Sequence, residues 1–282
     1  MIEQLILNLS NMALKKVKYC ILIVLFSSLS YAEPVKIELI TEEFPPLHVQ
    51  VDGNPKGYVV DFVKKLVDDA NKEVPMAIDA VHFVPWKRAM RMSKNRANSL
   101  FFSISRTPAR EEQYHWIGKV SPYEVMLYKH VSGPKNTPAH LEELKDYKIG
   151  CQAGSSFEEY VSDKGLNLKT VTYGRRAIKL LRAKRIDFAP LVSSSYFYRI
   201  EQYGFNPNEF LPVIRIDDLS KDLWLVTSIM TSPKVVEALK NSYQQLKEQG
   251  TLQKLITDYQ PYSEVMIEYR DQKQQELLKL SH

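Results

Sequence analysis

Short runs of β-branched and aromatic residues alternate along this chain with stretches whose apolar positions recur every three or four residues. That alternation predicts strands interleaved with amphipathic helices, and so α/β layers rather than a sandwich or a bundle. Residues 35–41 read as a first strand, Phe44-Pro45-Pro46 as a rigid loop, and 58–71 as a helix with Val59, Phe62, Val63, Leu66 and Val67 on one face. A strand at 76–83, a helix opened by Pro85 and running to about 95, and a strand at 100–104 complete one β-α-β-α-β unit. The pattern then repeats. Residues 123–130 read as a strand, 133–138 as a loop with two prolines and a glycine, 140–144 as a short helix and 148–152 as a strand. A helix at 157–164, a strand at 168–173, a helix at 175–184 and a strand at 186–192 finish the second unit. Strand-like runs at 211–216 and 223–227 lead into two terminal helices, 234–249 and 252–259, separated by Gly250; 263–282 reads as a charged, amphipathic tail helix.

The N-terminus follows a different pattern. Lys15, Lys16 and Lys18 precede an apolar run at 19–29 and the small-x-small sequence Ser30-Tyr31-Ala32, the three parts of a cleavable secretory signal. The run is shorter than the about 20 residues a membrane span needs, and Cys20 lacks the context of a lipid anchor. We read 1–32 as a signal peptide with translation starting at Met12, which makes the protein periplasmic. Removing 32 of 282 residues leaves 250, enough for one large or two modest domains. The net charge of +5 falls to 35 − 32 = +3, because the segment carries three lysines and one glutamate. No basic block with interleaved aromatics points to nucleic acid. Cys151 alone survives cleavage, so no internal disulfide is available.

Enzyme signatures are missing: the sequence has no phosphate-binding or dinucleotide glycine motif, no nucleophile elbow, no zinc-protease motif and no paired cysteines. His48, His82, His115, His130 and His140 are scattered, and each reads as a surface or packing residue. We therefore expect no catalytic residues, no metal and no cofactor. Binding chemistry is more legible. The segment from Ser103 to Trp116 leaves an apolar strand, turns through hydroxyls and a proline, and enters a charged helical turn containing Arg110. Flanked by Ser103, Ser105 and Thr107, Arg110 reads either as a carboxylate anchor using two parallel hydrogen bonds or as a surface arginine paired with Glu111 or Glu112. Phe44 and Trp86 are candidate walls, each also readable as packing. Gly154-Ser155-Ser156 follows a strand and opens a helix, so it reads as an anion-facing turn or as an ordinary N-cap.

The stretch Ser105-Arg106-Thr107-Pro108-Ala109-Arg110-Glu111, with Trp116 where an aromatic is usual, resembles the corresponding segment of bacterial extracellular solute-binding proteins of the polar amino acid type, family 3. The Gly250-Thr251-Leu252 step followed by residues 256–259 is similar to that family's ending. This resemblance implies a two-lobed type II periplasmic binding fold, each lobe a Rossmann-like sheet flanked by helices, with the ligand cleft between them. It places lobe 1 at 33–121 and 219–282 and lobe 2 at 122–218. It also implies Arg110, Phe44 and the glycine turn as ligand contacts, with lobe closure over a small carboxylate-bearing ligand. The implied partner is an inner-membrane ABC permease or a sensor receptor, and the expected state is a monomer. Departures from the family bear on the ligand. Ser103 stands where glycine is common, and Asn98 where aspartate is usual. The acid expected after the strand ending at Val192 is replaced by Ser193-Ser194-Ser195. Without that acid, standard L-amino acids are not the expected best ligands, unless Glu42 or Glu43 takes its place. An alternative within the same fold is a dehydratase-like enzyme, for which Glu42 or Glu43 is the candidate acid.

Overall fold

A computed structural model describes residues 33–260 continuously and, beyond them, Glu268, Asp271, Gln272, Gln275 and Lys279. The signal-peptide reading of 1–32 lies outside the described residues, as does most of the tail-helix reading of 263–282. The first lobe begins with β1 (Val35–Thr41) and a small hairpin, β2 (Val49–Val51) and β3 (Asn54–Lys56). Next come α1 (Tyr58–Ala70), β4 (Met76–Phe83), α2 (Trp86–Lys94), β5 (Ser99–Ser105), a 3-10 turn (Pro108–Gln113) and β6 (Tyr114–Pro122). In the second lobe lie β7 (Val125–His130), β8 (Lys148–Gln152), α3 (Ser156–Tyr160), β9 (Asn167–Val171), α4 (Arg175–Arg182), β10 (Ala189–Val192), α5 (Tyr196–Glu201) and β11 (Phe210–Arg215). The chain then returns to the first lobe as β12 (Asp222–Ser228), α6 (Pro233–Glu248) and α7 (Thr251–Asp258).

The first sheet has the order β4-β1-β5-β12-β6. β4, β1 and β5 are mutually parallel, and β12 runs antiparallel to both β5 and β6. Such a sheet must bury both faces. On one face Ile37, Leu39, Leu100 and Phe102 pack against Phe62, Val63 and Leu66 of α1 and Leu239 and Tyr243 of α6. On the other, Ile40, Phe101, Tyr114 and Val226 pack against Trp86 and Ala89 of α2. Fully burying one such side chain contributes about 1.5–3 kcal/mol. Second-lobe strands form two ladders, β10-β7-β11 and β8-β9. They meet at the Ile149–Phe188 bridge, where Gly150 N–H donates to the Phe188 carbonyl at 2.9 Å. Two crossings join the lobes, and they pair with each other: Tyr123 N–H donates to the Lys221 carbonyl at 2.7 Å.

Some sequence expectations need correction. The strand β6, the hairpin β2–β3 and the helix α5 went unread. α3 is shorter than expected, ending at Tyr160 rather than 164, and β10 begins at Ala189 rather than 186. The expected second βαβαβ unit is split between a parallel pair and an antiparallel trio.

Candidate functional site

The order β4-β1-β5 makes the boundary between β1 and β5 a topological switch point: from β1 the chain moves outward to β4 before returning as β5. Loops diverge there beyond the carboxyl ends of the strands and leave a crevice. Those ends carry Glu42, Phe44 and His48 after β1, Trp86 after β4, and Ser103 and Ser105 at the close of β5. All of them line one cavity of about 60 Å³, together with Arg110, Tyr123, Gln152, Ser155, Ser156, Val192, Arg199 and Leu223. Gln152, Ser155, Ser156, Val192 and Arg199 come from the second lobe, so the cavity lies between the lobes.

The 3-10 turn after β5 sets Arg110, which is 1% exposed. Nε and Nη2 both donate to Oε1 of Glu159, at 3.1 and 2.7 Å, Nη1 donates to the Ser105 carbonyl at 3.2 Å, and Nη2 also to the Gly154 carbonyl at 3.0 Å. Glu159 belongs to α3 in the opposite lobe. The surface reading, in which Arg110 pairs with Glu111 or Glu112, is therefore overturned; Arg106 binds Glu111 instead. A buried guanidinium that lost its carboxylate would cost about 3–5 kcal/mol, so some carboxylate must hold it.

The glycine turn behaves as a cap. The Ser155 hydroxyl accepts from the Glu158 N–H at 3.2 Å, and the Gly154 N–H donates to Glu158 Oε2 at 2.6 Å. Self-capping corrects the expectation that this turn directs its N–H groups at an anion. With φ at 76°, Gly154 instead points its carbonyl across the cleft, where Arg110 and Trp86 Nε1 both donate to it, the latter at 3.0 Å. Gly154, Thr107 and Ser193 lie outside the cavity lining. The Thr107 hydroxyl is turned to Glu159 at 3.5 Å, and Ser193 is tied by its N–H to the Glu124 carbonyl at 3.0 Å.

Ser103 is a β-bulge. The β12–β5 register steps from Trp224↔Ile104 to Leu225↔Phe102 and leaves Ser103 unpaired, with φ at 63°. Bulges of this kind re-aim a side chain, and a non-glycine left-handed residue costs about 1–3 kcal/mol. The hydroxyl so aimed is buried and has no hydrogen-bond partner among the described residues. Glu42 is likewise buried: Oε2 accepts from Gln152 Nε2 at 2.5 Å, whereas Oε1 has no partner among the described residues. Burial pushes the Glu42 carboxyl up to about 7, against the Gln152 hydrogen bond, the charges of Arg199 and Arg175 and the Trp86 backbone N–H. Burial drives the fully enclosed His48 down to about 3, so its ring is neutral. His48 Nδ1 meets the Glu42 carbonyl, which can only accept, so Nδ1 carries the proton and Nε2 is a bare acceptor. That Nε2 also has no partner among the described residues.

Sequence reasoning thus placed Arg110, Ser103, Ser105, Phe44, Trp86, Ser155 and Ser156 among the candidates that the lining contains, and offered Glu42 or Glu43 as a substitute acid, of which Glu42 lines the cavity. It missed His48, Tyr123, Gln152, Val192, Arg199 and Leu223. Arg199 lies on the unread helix α5, and its guanidinium stacks over Phe44 at 4.6 Å. Among the described residues, no group of three or more His, Cys, Asp or Glu side chains is placed to hold a metal ion. Cys151 is buried, and its thiol is pushed up to about 12 by that burial.

The family model of bacterial extracellular solute-binding proteins, family 3, matches residues 37–261. No curated protein sequence matches the chain. Solved structures share the fold at low identity. An ancestral arginine-binding protein bound to arginine superposes with a TM-score of 0.67 at 16% identity, covering 81% of this chain and 100% of that one. A histidine kinase sensor domain similar to periplasmic binding proteins gives 0.68 at 16%, covering 80% and 96%. The amino acid ABC transporter substrate-binding protein AbpA of Streptococcus pneumoniae, bound to L-arginine, gives 0.63 at 19%, covering 79% and 94%.

Proposed function

Because the chain belongs to the bacterial extracellular solute-binding proteins, family 3, we propose that it captures a small carboxylate-bearing ligand in the periplasm by closing its two lobes, and delivers it to an ABC-type permease. The observation that carries this reading is the buried Arg110 guanidinium in the inter-lobe cleft, whose donors hold a carboxylate supplied by Glu159. A ligand carboxylate takes that place when it displaces Glu159. Ser105, Ser155 and Ser156 surround the exchange position, and Phe44 and Trp86 wall it. Similarity to arginine-binding proteins makes L-arginine the first probe, followed by other amino acids and organic acids.

The test is titration calorimetry of the wild type and Arg110→Ala. Losing one partner of a desolvated charge pair costs about 2–5 kcal/mol, so the variant should show no measurable binding while keeping its fold. Equal affinity in the two proteins would refute the anchor. The histidine kinase sensor domain supports a second reading, in which the closed form biases a membrane receptor instead of feeding a permease. Both readings share the ligand step and differ only in the partner.

A further inference from the structure

Away from the cleft, positive charge is concentrated on α4 and the turn that follows it: residues 175–185 carry Arg175, Arg176, Lys179, Arg182, Lys184 and Arg185 and no acid. Arg175 pairs with Glu43 and Arg182 with Glu209, whereas Arg176, Lys179, Lys184 and Arg185 make no ion pair among the described residues. The helix seats itself through Ala177, Ile178 and Leu181, so its packing does not call for these cations. Positions three apart are neighbours on a helix surface, with Cβ atoms about 5–6 Å apart, and Arg176, Lys179 and Arg182 therefore form a row of like charges that repel one another. Each cation in the row lies over an aromatic ring: Arg176 over Tyr173 at 5.6 Å, Lys179 over Tyr203 at 4.5 Å and Arg182 over Phe205 at 4.2 Å. Lys179, Arg182 and the last two rings line a groove of about 710 Å³. The acid in its lining, Glu209, is already held by Arg182 at 2.8 Å and approached by His130 at 3.6 Å. Beside it stands Val131, 50% exposed, whose N–H donates to the Glu209 carbonyl at 2.8 Å.

We propose that this row of cations and its groove form a docking surface on the second lobe for an acidic segment of a protein partner. Charge complementarity carries the proposal: carboxylates three or four residues apart on a partner helix repeat at the same about 5–6 Å as the cations of α4. The rings beneath Arg176, Lys179 and Arg182 hold these long side chains in place before association, so less of their freedom is lost on docking. A protein segment fits better than a membrane surface, because the cations border a concave groove with an apolar edge at Val131, which a protruding chain can fill and a broad sheet of headgroups cannot. The surface is independent of what the cleft binds. Its near end nevertheless lies at the cleft, since Arg175, the first residue of α4, reaches Glu43 of the first lobe at 3.4 Å. A partner seated along the row is thereby placed beside a contact that joins the two lobes.

The experiment measures binding of labelled poly-L-glutamate by fluorescence anisotropy, and of phosphatidylglycerol vesicles by co-sedimentation, to the full-length protein at neutral pH. No cleft ligand is added, so the outcome does not depend on Arg110. Wild type is compared with the double variant Arg176→Glu, Lys179→Glu and with Lys234→Glu, Lys240→Glu, which makes the same charge change at exposed positions of α6 in the first lobe. A third variant, Tyr203→Leu, keeps every charge and removes one ring; circular dichroism confirms that each folds. Poly-L-glutamate should bind the wild type and the α6 variant alike, bind the α4 variant at least about tenfold more weakly, and bind Tyr203→Leu about two- to fivefold more weakly. Equal losses in the two charge-reversed variants would mean that net charge alone attracts the polymer, and would overturn the surface. Failure of the wild type to bind poly-L-glutamate would overturn it as well. Tighter binding to the vesicles than to the polymer would make α4 a membrane-facing helix and overturn the protein partner.

Discussion

Glu42 and His48 touch, yet they carry opposite linkage to folding. Folded Glu42 holds its proton up to about 7 against an ordinary 4.5, so in that window the native state binds the extra proton and stability falls as pH rises, by on the order of 3 kcal/mol in all. His48 titrates near 3 against an ordinary 6.5, so stability falls as pH drops below 6.5. Between 4.5 and 6.5 the two slopes oppose and nearly cancel. Removing one exposes the other: Glu42→Gln should become more stable as pH rises from 4.5 to 6.5 and should exceed the wild type most above pH 7. Urea denaturation at pH 5, 6 and 8 checks this: a flat profile for the variant would contradict the burial of the His48 ring, and a wild type that gains as much stability with pH as the variant would contradict the burial of the carboxyl. At Ser103 a left-handed φ is held by a residue that tolerates it poorly, so Ser103→Gly should gain about 1 kcal/mol in the same denaturation measurement. The sequence could flag Ser103 only as a departure from a glycine. Its backbone strain and the direction of its hydroxyl depend on a bulge that the β12–β5 pairing creates.

Among the elements, those that announced themselves were the ones with strong periodicity. α1 was legible because Val59, Phe62, Val63, Leu66 and Val67 fall on one face, and all are buried. β6 was not, because His115, Trp116 and Lys119 interrupt the apolar residues of a strand whose place is fixed by β12. α5 is short, and its aromatic residues read equally well as a strand or a loop, so Arg199 was lost with it. β6 also carries Gly118, where an added Cβ would lie 2.1 Å from the Tyr243 ring of α6. Tyr243 is fixed in turn by its hydroxyl, which donates to the Lys119 carbonyl at 2.8 Å. Gly118→Ala should therefore destabilise by about 1–3 kcal/mol through overpacking, read as a lower urea midpoint at unchanged slope. An unshifted midpoint would mean that α6 does not seat on β6 in this way.

For the whole molecule, the central feature is a cleft that its own side chains bridge. Arg110 holds Glu159, Trp86 and Arg110 share the Gly154 carbonyl, Glu42 takes Gln152, Glu43 meets Arg175 at 3.4 Å, and Arg199 covers Phe44. Each contact joins a first-lobe group to a second-lobe group, so opening the lobes costs all of them together. A ligand shifts such an equilibrium only by binding the closed form better than the open one, and here it must also displace Glu159. The most direct measurement is calorimetric titration of Glu159→Gln beside the wild type and Arg110→Ala, using an amino acid that binds the wild type. Glu159→Gln leaves the guanidinium without a competing carboxylate, so its affinity should rise about tenfold or more, a gain of about 1.4 kcal/mol, while Arg110→Ala loses binding. If Glu159→Gln instead binds as weakly as Arg110→Ala, Glu159 is part of the ligand grip rather than its stand-in, and the account of the cleft is wrong.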